Sequence, residues 1–586
     1  MLKNFFTAFL GSMAALWLTV ILSGVLSIVM MVVMMAGVSK MSPSATVQKK
    51  SILYIDLTGS IVERQQQTRL IDELYSQGER PVALDEILRS IRRAAEDDKI
   101  KGIYIDCNGA TSGLATADAI VNALRKFRES GKWVIAYGDN ISQGNYYIAS
   151  AADSLFVNPV GSVDIHGLSA TTMFYKNLLD KLGIEMQVIK VGTFKSAVEP
   201  FMLTEMSEAN RLQQETYINN IWGYMSGRIA SMRGVSEAEV NSWADNLVMT
   251  QNPLSYVDRH IVDGLRYRHA VEGTLAALTD VKPDELRLVT PTEYCSATSG
   301  NKSGGHKIAV LYAVGDIVDS GSEGIAGDKM VPLILSIAED EDIEGMVLRV
   351  NSGGGSAFAS EQIWEALQQF KASGKKLYVS MGDYAASGGY YISCGADRIY
   401  AEPVTLTGSI GIFGLIPNAE GLLRDHLGVT SGTVSSNENG SFLSLIRPMT
   451  PMQRNAMQGY VDRGYETFVG RCAEGRDMPV DSIKAIAEGR VWDGMEALRL
   501  NLVDQLGGID MAITDMAEDL GGGKIRIVEY PVIRPEWWEE IVAIQTHMAE
   551  GKVRSELGAL YPYYRESRRI LEANHLQCRM QPVSLE

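Results

Sequence analysis

The sequence predicts an α/β protein made of two tandem copies of one unit, preceded by a membrane-spanning helix. Three observations carry that prediction. Short apolar segments alternate with helical ones of roughly 10–15 residues, the pattern of βαβ units with strands buried on both faces. One stretch of the chain recurs at a constant offset of 244 residues. Positions 4 to 39 contain no Asp, Glu, Lys or Arg.

The uncharged run is longer than the roughly 20 residues that cross the hydrocarbon of a bilayer. A cleavable signal peptide is the rival reading, but its apolar region is only about 7–15 residues long. The expectation is a cytoplasmic N-terminus at 1–12 and a retained signal anchor at 13–37. Lys3 and the α-amine favour a cytoplasmic start, although Lys40, Lys49 and Lys50 lie on the other side. Across the 586 residues, 46% apolar and 21% charged content excludes a disordered, collagen-like or disulfide-scaffold chain. A net charge of −17 argues against nucleic-acid binding. The five cysteines are scattered, with no CxxC and no metal-ligand spacing, so they read as isolated thiols. No metal, nucleotide or other cofactor is implied.

The repeat is clearest where Gly144-Asn145-Tyr146-Tyr147-Ile148 through Pro159-Val160 aligns with Gly388-Gly389-Tyr390-Tyr391-Ile392 through Pro403-Val404, with 8 of 17 positions identical. Thr58–Glu63 echoes Val314–Asp319, and Ile261-Val262-Asp263 echoes Leu502-Val503-Asp504. The first copy is placed at 50–292, a Gly/Ser-containing linker at 293–305, the second copy at 306–530, and a tail without assigned role at 531–586. In the second copy, Ile308–Tyr312, Met346–Val350 and Leu377–Ser380 read as strands, and Val331–Ala338 and Ala359–Phe370 as helices. The segments 202–234 and 449–476 read as long polar-rich helices that cover the body or mediate assembly.

Duplication provides an internal control, because structural needs recur in both copies while chemistry need not. The second copy carries Asn351-Ser352-Gly353-Gly354-Gly355-Ser356 after a strand, where the first is poorer in glycine. It also carries Thr405-Leu406-Thr407-Gly408-Ser409-Ile410-Gly411-Ile412-Phe413, against a shorter Pro159–Gly167 in the first. The first copy alone has a lysine in Phe194-Lys195-Ser196-Ala197-Val198-Glu199-Pro200. The bland reading of Lys195 is a solvated surface lysine, and that of Gly353–Gly355 an ordinary strand-to-helix turn. Both copies keep the paired tyrosines, which therefore read as core, with Ser387 beside them as a cleft residue.

These motifs, with Gly489-Arg490-Val491-Trp492 and the anchor, make the chain resemble the long, duplicated form of the bacterial signal peptide peptidase A (protease IV) family, over nearly its whole length. The resemblance implies two tandem Clp/crotonase-like (ββα superhelix) domains. It implies a membrane-anchored serine peptidase that hydrolyses remnant signal peptides and other apolar peptides through an acyl-enzyme. By that likeness Ser409 is the nucleophile and Lys195, from the first copy, its general base. It further implies a bacterial inner-membrane location, a periplasmic catalytic body and a homotetramer. One departure is Gly353, where the family often has proline.

The chemistry is self-consistent. None of the seven histidines is placed near Ser409 by the repeat register. A lysine can act as base only when neutral, and lowering its pKa from about 10.4 to about 7 takes roughly 4.6 kcal/mol of desolvation. An oxyanion needs backbone donors, for which Gly354 and then Ile410 are the candidates. Gly353, Gly355, Ser387 and Gly408 are expected to line the cleft, and Ser162, the counterpart of Ser409, to be non-catalytic. The alternatives are a crotonase-type acyl-CoA enzyme and a noncatalytic membrane scaffold.

Overall fold

The computed structural model describes residues 47–65, 81–107, 109–298, 304–321, 324–532 and 576–580, together with residues 9, 11–13, 15–19, 21–24 and 557. Most of the span expected at 13–37 therefore lies outside the described residues. Among the described residues no helix is long and apolar enough to cross a membrane.

In the first copy, Ser51–Asp56, Ile100–Asp106, Trp133–Ile141 and Ser154–Val163 form the middle of a six-stranded parallel sheet, edged by Gly264–Leu265 and Leu288–Val289. The helix Leu84–Glu96 buries Leu84, Ile87, Leu88, Ile91 and Ala94, the 3–4 spacing of a single apolar stripe, against this sheet. The second copy repeats the plan with His306–Val314, Ile343–Ser352 and Lys376–Ala386 as parallel neighbours. Helices Gly327–Glu339 and Ala357–Ala372 lie between them in sequence. Each element expected there is present and extends two or more residues beyond the periodic signal on at least one side.

The segment expected to be a linker from 293 begins instead as the helix Pro291–Thr298. It belongs with the first copy: Tyr294 Oη donates to Asp97 (2.9 Å) and Thr292 to Glu86 (2.6 Å). Likewise the tail is not wholly apart, because Leu576–Arg579 is a strand within the body. The two long helices, Glu208–Arg233 and Pro451–Gly475, bury Tyr217, Ile221 and Ile229 in one core and Val461, Phe468 and Val469 in the other. All five cysteines are free and buried, and Cys394, Cys472 and Cys578 meet in the second core rather than standing isolated.

The copies are joined by buried polar contacts. Arg349, at 2% exposure, donates to both carboxylate oxygens of Glu63 (2.9 and 3.1 Å), to Ser380 Oγ and to the Met381 carbonyl. Asp383 of the second copy accepts from the Thr116 amide (3.0 Å) and hydroxyl (2.8 Å), capping the first-copy helix Leu114–Arg128. Glu63→Ala strands a buried guanidinium and is expected to cost about 3–5 kcal/mol of stability in urea melts. A loss below about 1 kcal/mol would mean that water replaces the carboxylate.

A third sheet matters most for the site. Its order is Ile325–Ala326, Ile317–Val318, Gly354–Ser356, Leu576–Arg579, Phe413–Asn418 and Glu185–Lys190. The last strand comes from the first copy and pairs antiparallel with Phe413–Asn418 of the second, from Lys190↔Phe413 to Glu185↔Asn418. That exchange carries the chain around Lys195 into the second copy.

Candidate active site

Lys195 follows the exchanged strand by five residues. Its loop is held by the Val191 amide on the Ile412 carbonyl (3.1 Å) and the Phe194 amide on the Glu488 carbonyl (3.0 Å). Gln213, on the helix Glu208–Arg233, clamps the loop from behind through Ser196 Oγ (3.0 Å) and the Phe194 carbonyl (3.2 Å). The slot for the lysine is cut by glycine. A Cβ on Gly489 would stand 2.7 Å from the Lys195 Cα and Cβ, so the Gly489-Arg-Val-Trp motif serves close backbone approach.

Within this slot Lys195 is 1% exposed, and its amine meets two serines. Nζ lies 2.7 Å from Ser387 Oγ, 3.1 Å from Ser409 Oγ and 3.0 Å from the Ser409 carbonyl. Desolvation by burial pushes the Lys195 pKa down from 10.5 to about 7, with the nearby Cys578 thiol opposing the shift. No carboxylate enters the balance. The sequence expectation of a desolvated lysine between the copies is thus matched by the geometry, and the surface-lysine reading fails.

Both serines sit at unusual backbone positions. Ser387 ends the strand Lys376–Ala386 and opens the helix Gly388–Ser393 with φ 56° and ψ −114°, a conformation that costs an L-residue about 1–3 kcal/mol. Ser409 has φ 49°. Gly408 ties the two turns together, its carbonyl accepting from the Ser387 amide at 2.7 Å. The hydroxyls differ in what they face. Ser409 Oγ donates to the Gly489 carbonyl (3.2 Å), whereas Ser387 Oγ points to the amine.

Of the expected cleft residues, Gly353, Gly354 and Gly355 form one wall, lying against the strand Leu576–Arg579. Gly354 has φ 98°, and a Cβ there would stand 2.1 Å from the Cys578 carbonyl oxygen and 2.7 Å from the Gly388 amide nitrogen. Gly354 and Gly388 therefore close in on one carbonyl. The Gly354 amide itself donates to Ser352 Oγ (3.1 Å). Ile410 lies on the far side of Ser409, its carbonyl accepting from the Gly489 amide (2.8 Å) and its side chain in the second core. Ser162 bonds Asn140 (2.9 Å) at the surface. At the offset of 244, Gln143 stands in the place of Ser387 and binds the His166 and Gly167 amides (both 2.8 Å), leaving the first copy without a hydroxyl there.

The sequence reading placed Ser387 only along the cleft and missed the contributions of Gly489, Gln213 and Cys578. For Ser387 a signal was present: Ala386-Ser387-Gly388-Gly389 stands at a strand-to-helix junction, where a sharp turn exposes a hydroxyl.

Comparison with known proteins gives the class, a serine peptidase. The chain belongs to Peptidase family S49, which it matches over residues 126–282 and 369–522. It is 33% identical over 497 residues to "Protease 4" of Haemophilus influenzae, covering 81% of this chain and 80% of that one. To "Protease 4" of Salmonella typhi it is 36% identical over 488 residues, covering 80% and 78%. A shorter relative, the "Putative signal peptide peptidase SppA" of Enterococcus faecium, is 33% identical over 230 residues, covering 38% of this chain and 67% of that protein. Membership of a peptidase family sets aside the acyl-CoA and scaffold alternatives.

Proposed function

We propose that the chain is a membrane-anchored endopeptidase, built on two Clp/crotonase-like units, that cleaves remnant signal peptides and other apolar peptides through a Ser387 acyl-enzyme with Lys195 as general base. This moves the nucleophile from Ser409, expected from the sequence, to Ser387. The hydrogen-bond inventory of the amine carries the choice. A neutral lysine has two N–H donors and one lone pair. Ser409 takes both donors, at its carbonyl and at an Oγ whose own proton is committed to the Gly489 carbonyl. The lone pair is left for the Ser387 hydroxyl at 2.7 Å. Ser409 then positions the base, and Ser387 holds the proton the base can take.

Turnover follows. Ser387 Oγ attacks the scissile carbonyl as its proton passes to Lys195 Nζ, and the amine returns that proton to the leaving nitrogen. A water, deprotonated by the same amine, hydrolyses the ester. The carbonyl position beside Gly388 supports that backbone amide as an oxyanion donor in place of Ile410, while the Gly354 amide, the other expected donor, is taken by Ser352 Oγ.

The substrate class rests on family membership and on the printed name of the Enterococcus relative. Anchoring rests on the uncharged positions 4–39 and on the exposure of Leu16, Trp17, Leu18, Ile21 and Leu22 in the described helical stretch. A periplasmic body on the bacterial inner membrane and a homotetramer remain part of this reading, from the family likeness. The test is the pH dependence of kcat/KM on a quenched apolar peptide. Only the neutral amine accepts a proton, so activity should rise with pH through about 7 and fall away in acid. A rate independent of pH between about 5.5 and 8 would remove lysine from the role of base.

A further inference from the structure

The joint between the copies gathers the carboxyls Glu63, Asp118, Asp383 and Glu402 around the guanidiniums Arg228 and Arg349. Arg349 is committed to Glu63. Arg228 stands 3.7 Å from Asp118, which also accepts from Tyr224 Oη (3.1 Å) and Asn122 (3.3 Å). Asp383 takes two hydrogen bonds from Thr116 and one from Asn351 (3.3 Å). Glu402 is the exception. It is 2% exposed, and its Oε2 is buried with no partner among the described residues. Its Oε1 lies against Gly508, where a Cβ would stand 2.5 Å away. Acids on the adjoining elements face elsewhere: Asp493 accepts from Asn220 (2.8 Å) and the Glu496 amide (3.0 Å), and Asp510 pairs with Arg92 (2.6 Å).

A carboxylate in that place would be buried with neither a donor nor a cation of its own, a state that desolvation penalises heavily. Burial, with Asp118 adding to it and Arg349 and Arg228 opposing, pushes the Glu402 carboxyl up from 4.5 to about 8. The duplication gives an independent reading. At the offset of 244, Asn158 stands in the place of Glu402 and Asp139 in the place of Asp383. There the Asn158 amide donates to Asp139 at 2.8 Å. The position calls for a donor, and a glutamic acid is one only while it keeps its proton.

Glu402 also borders the strand at which the copies meet beside the site. Its carbonyl lies against Gly494, where a Cβ would stand 2.1 Å from it. The strand Val491–Asp493, just before, pairs antiparallel with Leu406–Gly408, which leads into Ser409. The same strand receives the long helix of the first copy: the Val491 amide donates to Gln213 Oε1 (3.2 Å), and Asn220 reaches Asp493. Gln213 in turn holds the Lys195 loop.

We propose that Glu402 rests as the neutral acid and serves as an alkaline switch: losing its proton to solvent sets a charge against Asp118 and Asp383, loosens the joint and unseats Lys195. The effect on turnover rests on the Ser387–Lys195 reading, whereas the protonation of Glu402 does not.

The first test is kcat/KM of the full chain on the quenched apolar peptide from about pH 6 to 10. After the rise through about 7, activity should fall above about 8. Glu402→Gln keeps a neutral donor at every pH. It should hold its activity there, about fivefold or more above the parent near pH 9.5, with the acid limb unmoved. A plateau in the parent up to about pH 10, or the same alkaline fall in Glu402→Gln, would overturn the switch.

The second test is unfolding, which needs no catalysis. With a folded pKa of about 8 against 4.5, the folded state binds more protons than the unfolded state between those values. The stability this group contributes is complete below 4.5 and is lost as pH rises through about 8. Glu402→Gln should therefore raise the unfolding midpoint by a few degrees near pH 9, with the gap closing toward 4.5. Glu402→Asn, which supplies the residue of the first copy, should behave the same way. A gap equal at about pH 5 and 9 would mean that Glu402 is ionised throughout, and would overturn the proposal. Failure of the Ser387–Lys195 reading would change the first result and leave the second, so the two readings fall separately.

Discussion

Ser387→Ala is expected to lower kcat/KM by about 10⁴-fold or more and to abolish covalent labelling by a fluorophosphonate. Ser409→Ala is expected to lower turnover by only about 10–100-fold, in the range of a lost positioning contact, and to leave the label on Ser387. The contrast follows from the two protons. Ser409 sends its own to the Gly489 carbonyl and accepts from the lysine, so removing its hydroxyl frees the amine to rotate. Ser387 Oγ lies 2.7 Å from the amine, where the proposed mechanism has it donate to the lone pair of the neutral lysine, and bears the strained backbone of a strand-to-helix elbow. Peptide mapping of the label decides between them. A label on Ser409, kept in Ser387→Ala and lost in Ser409→Ala, would return the nucleophile to the residue the sequence motif first indicated.

Lys195→Met should abolish turnover, by about 10³-fold or more, and at the same time stabilise the protein at pH 7. The folded state holds this amine with its pKa depressed to about 7 against 10.5 for an ordinary lysine. A depressed amine binds fewer protons folded than unfolded between those values, so its cost is complete below about 7 and vanishes as pH rises past 10.5. At pH 7 that cost is on the order of 4–5 kcal/mol, set against about 1–3 kcal/mol for the serine partners left unbonded by methionine. The net expectation is a higher unfolding midpoint for Lys195→Met at pH 7, with the difference shrinking toward pH 10. A variant less stable than the parent at pH 7 would mean that the amine is held charged by contacts stronger than its desolvation.

Much of the architecture was legible in the sequence. Strand and helix positions in the second copy follow from local periodicity, which burial on one or both faces imposes directly. Boundaries were less so: the stretch from 293 reads as linker by composition, yet it begins within the helix Pro291–Thr298 because Tyr294 and Thr292 find partners at Asp97 and Glu86, 197 and 206 residues earlier. The Glu63–Arg349 pair joins residues 286 apart, and nothing local to either marks it.

By itself, the sequence determined that the chain is a duplicated α/β protein, that Lys195 has no counterpart in the second copy, and that Ser387 of the second copy is replaced by Gln143 in the first while Ser409 has its counterpart in Ser162. These are properties of composition, period and internal alignment, each written into neighbouring residues. Only the tertiary structure decided that the lysine amine meets both serines, how glycine at 489 makes room for it, and which strand lies against the glycine turn. Those outcomes depend on the register of strands drawn from 185–190, 354–356, 413–418 and 576–579 into one sheet. A shift of one residue in any of them would turn its side chains to the opposite face. Directionality of this kind resides in hydrogen bonds between residues separated by 192 and 214 positions, and local pattern carries no record of it.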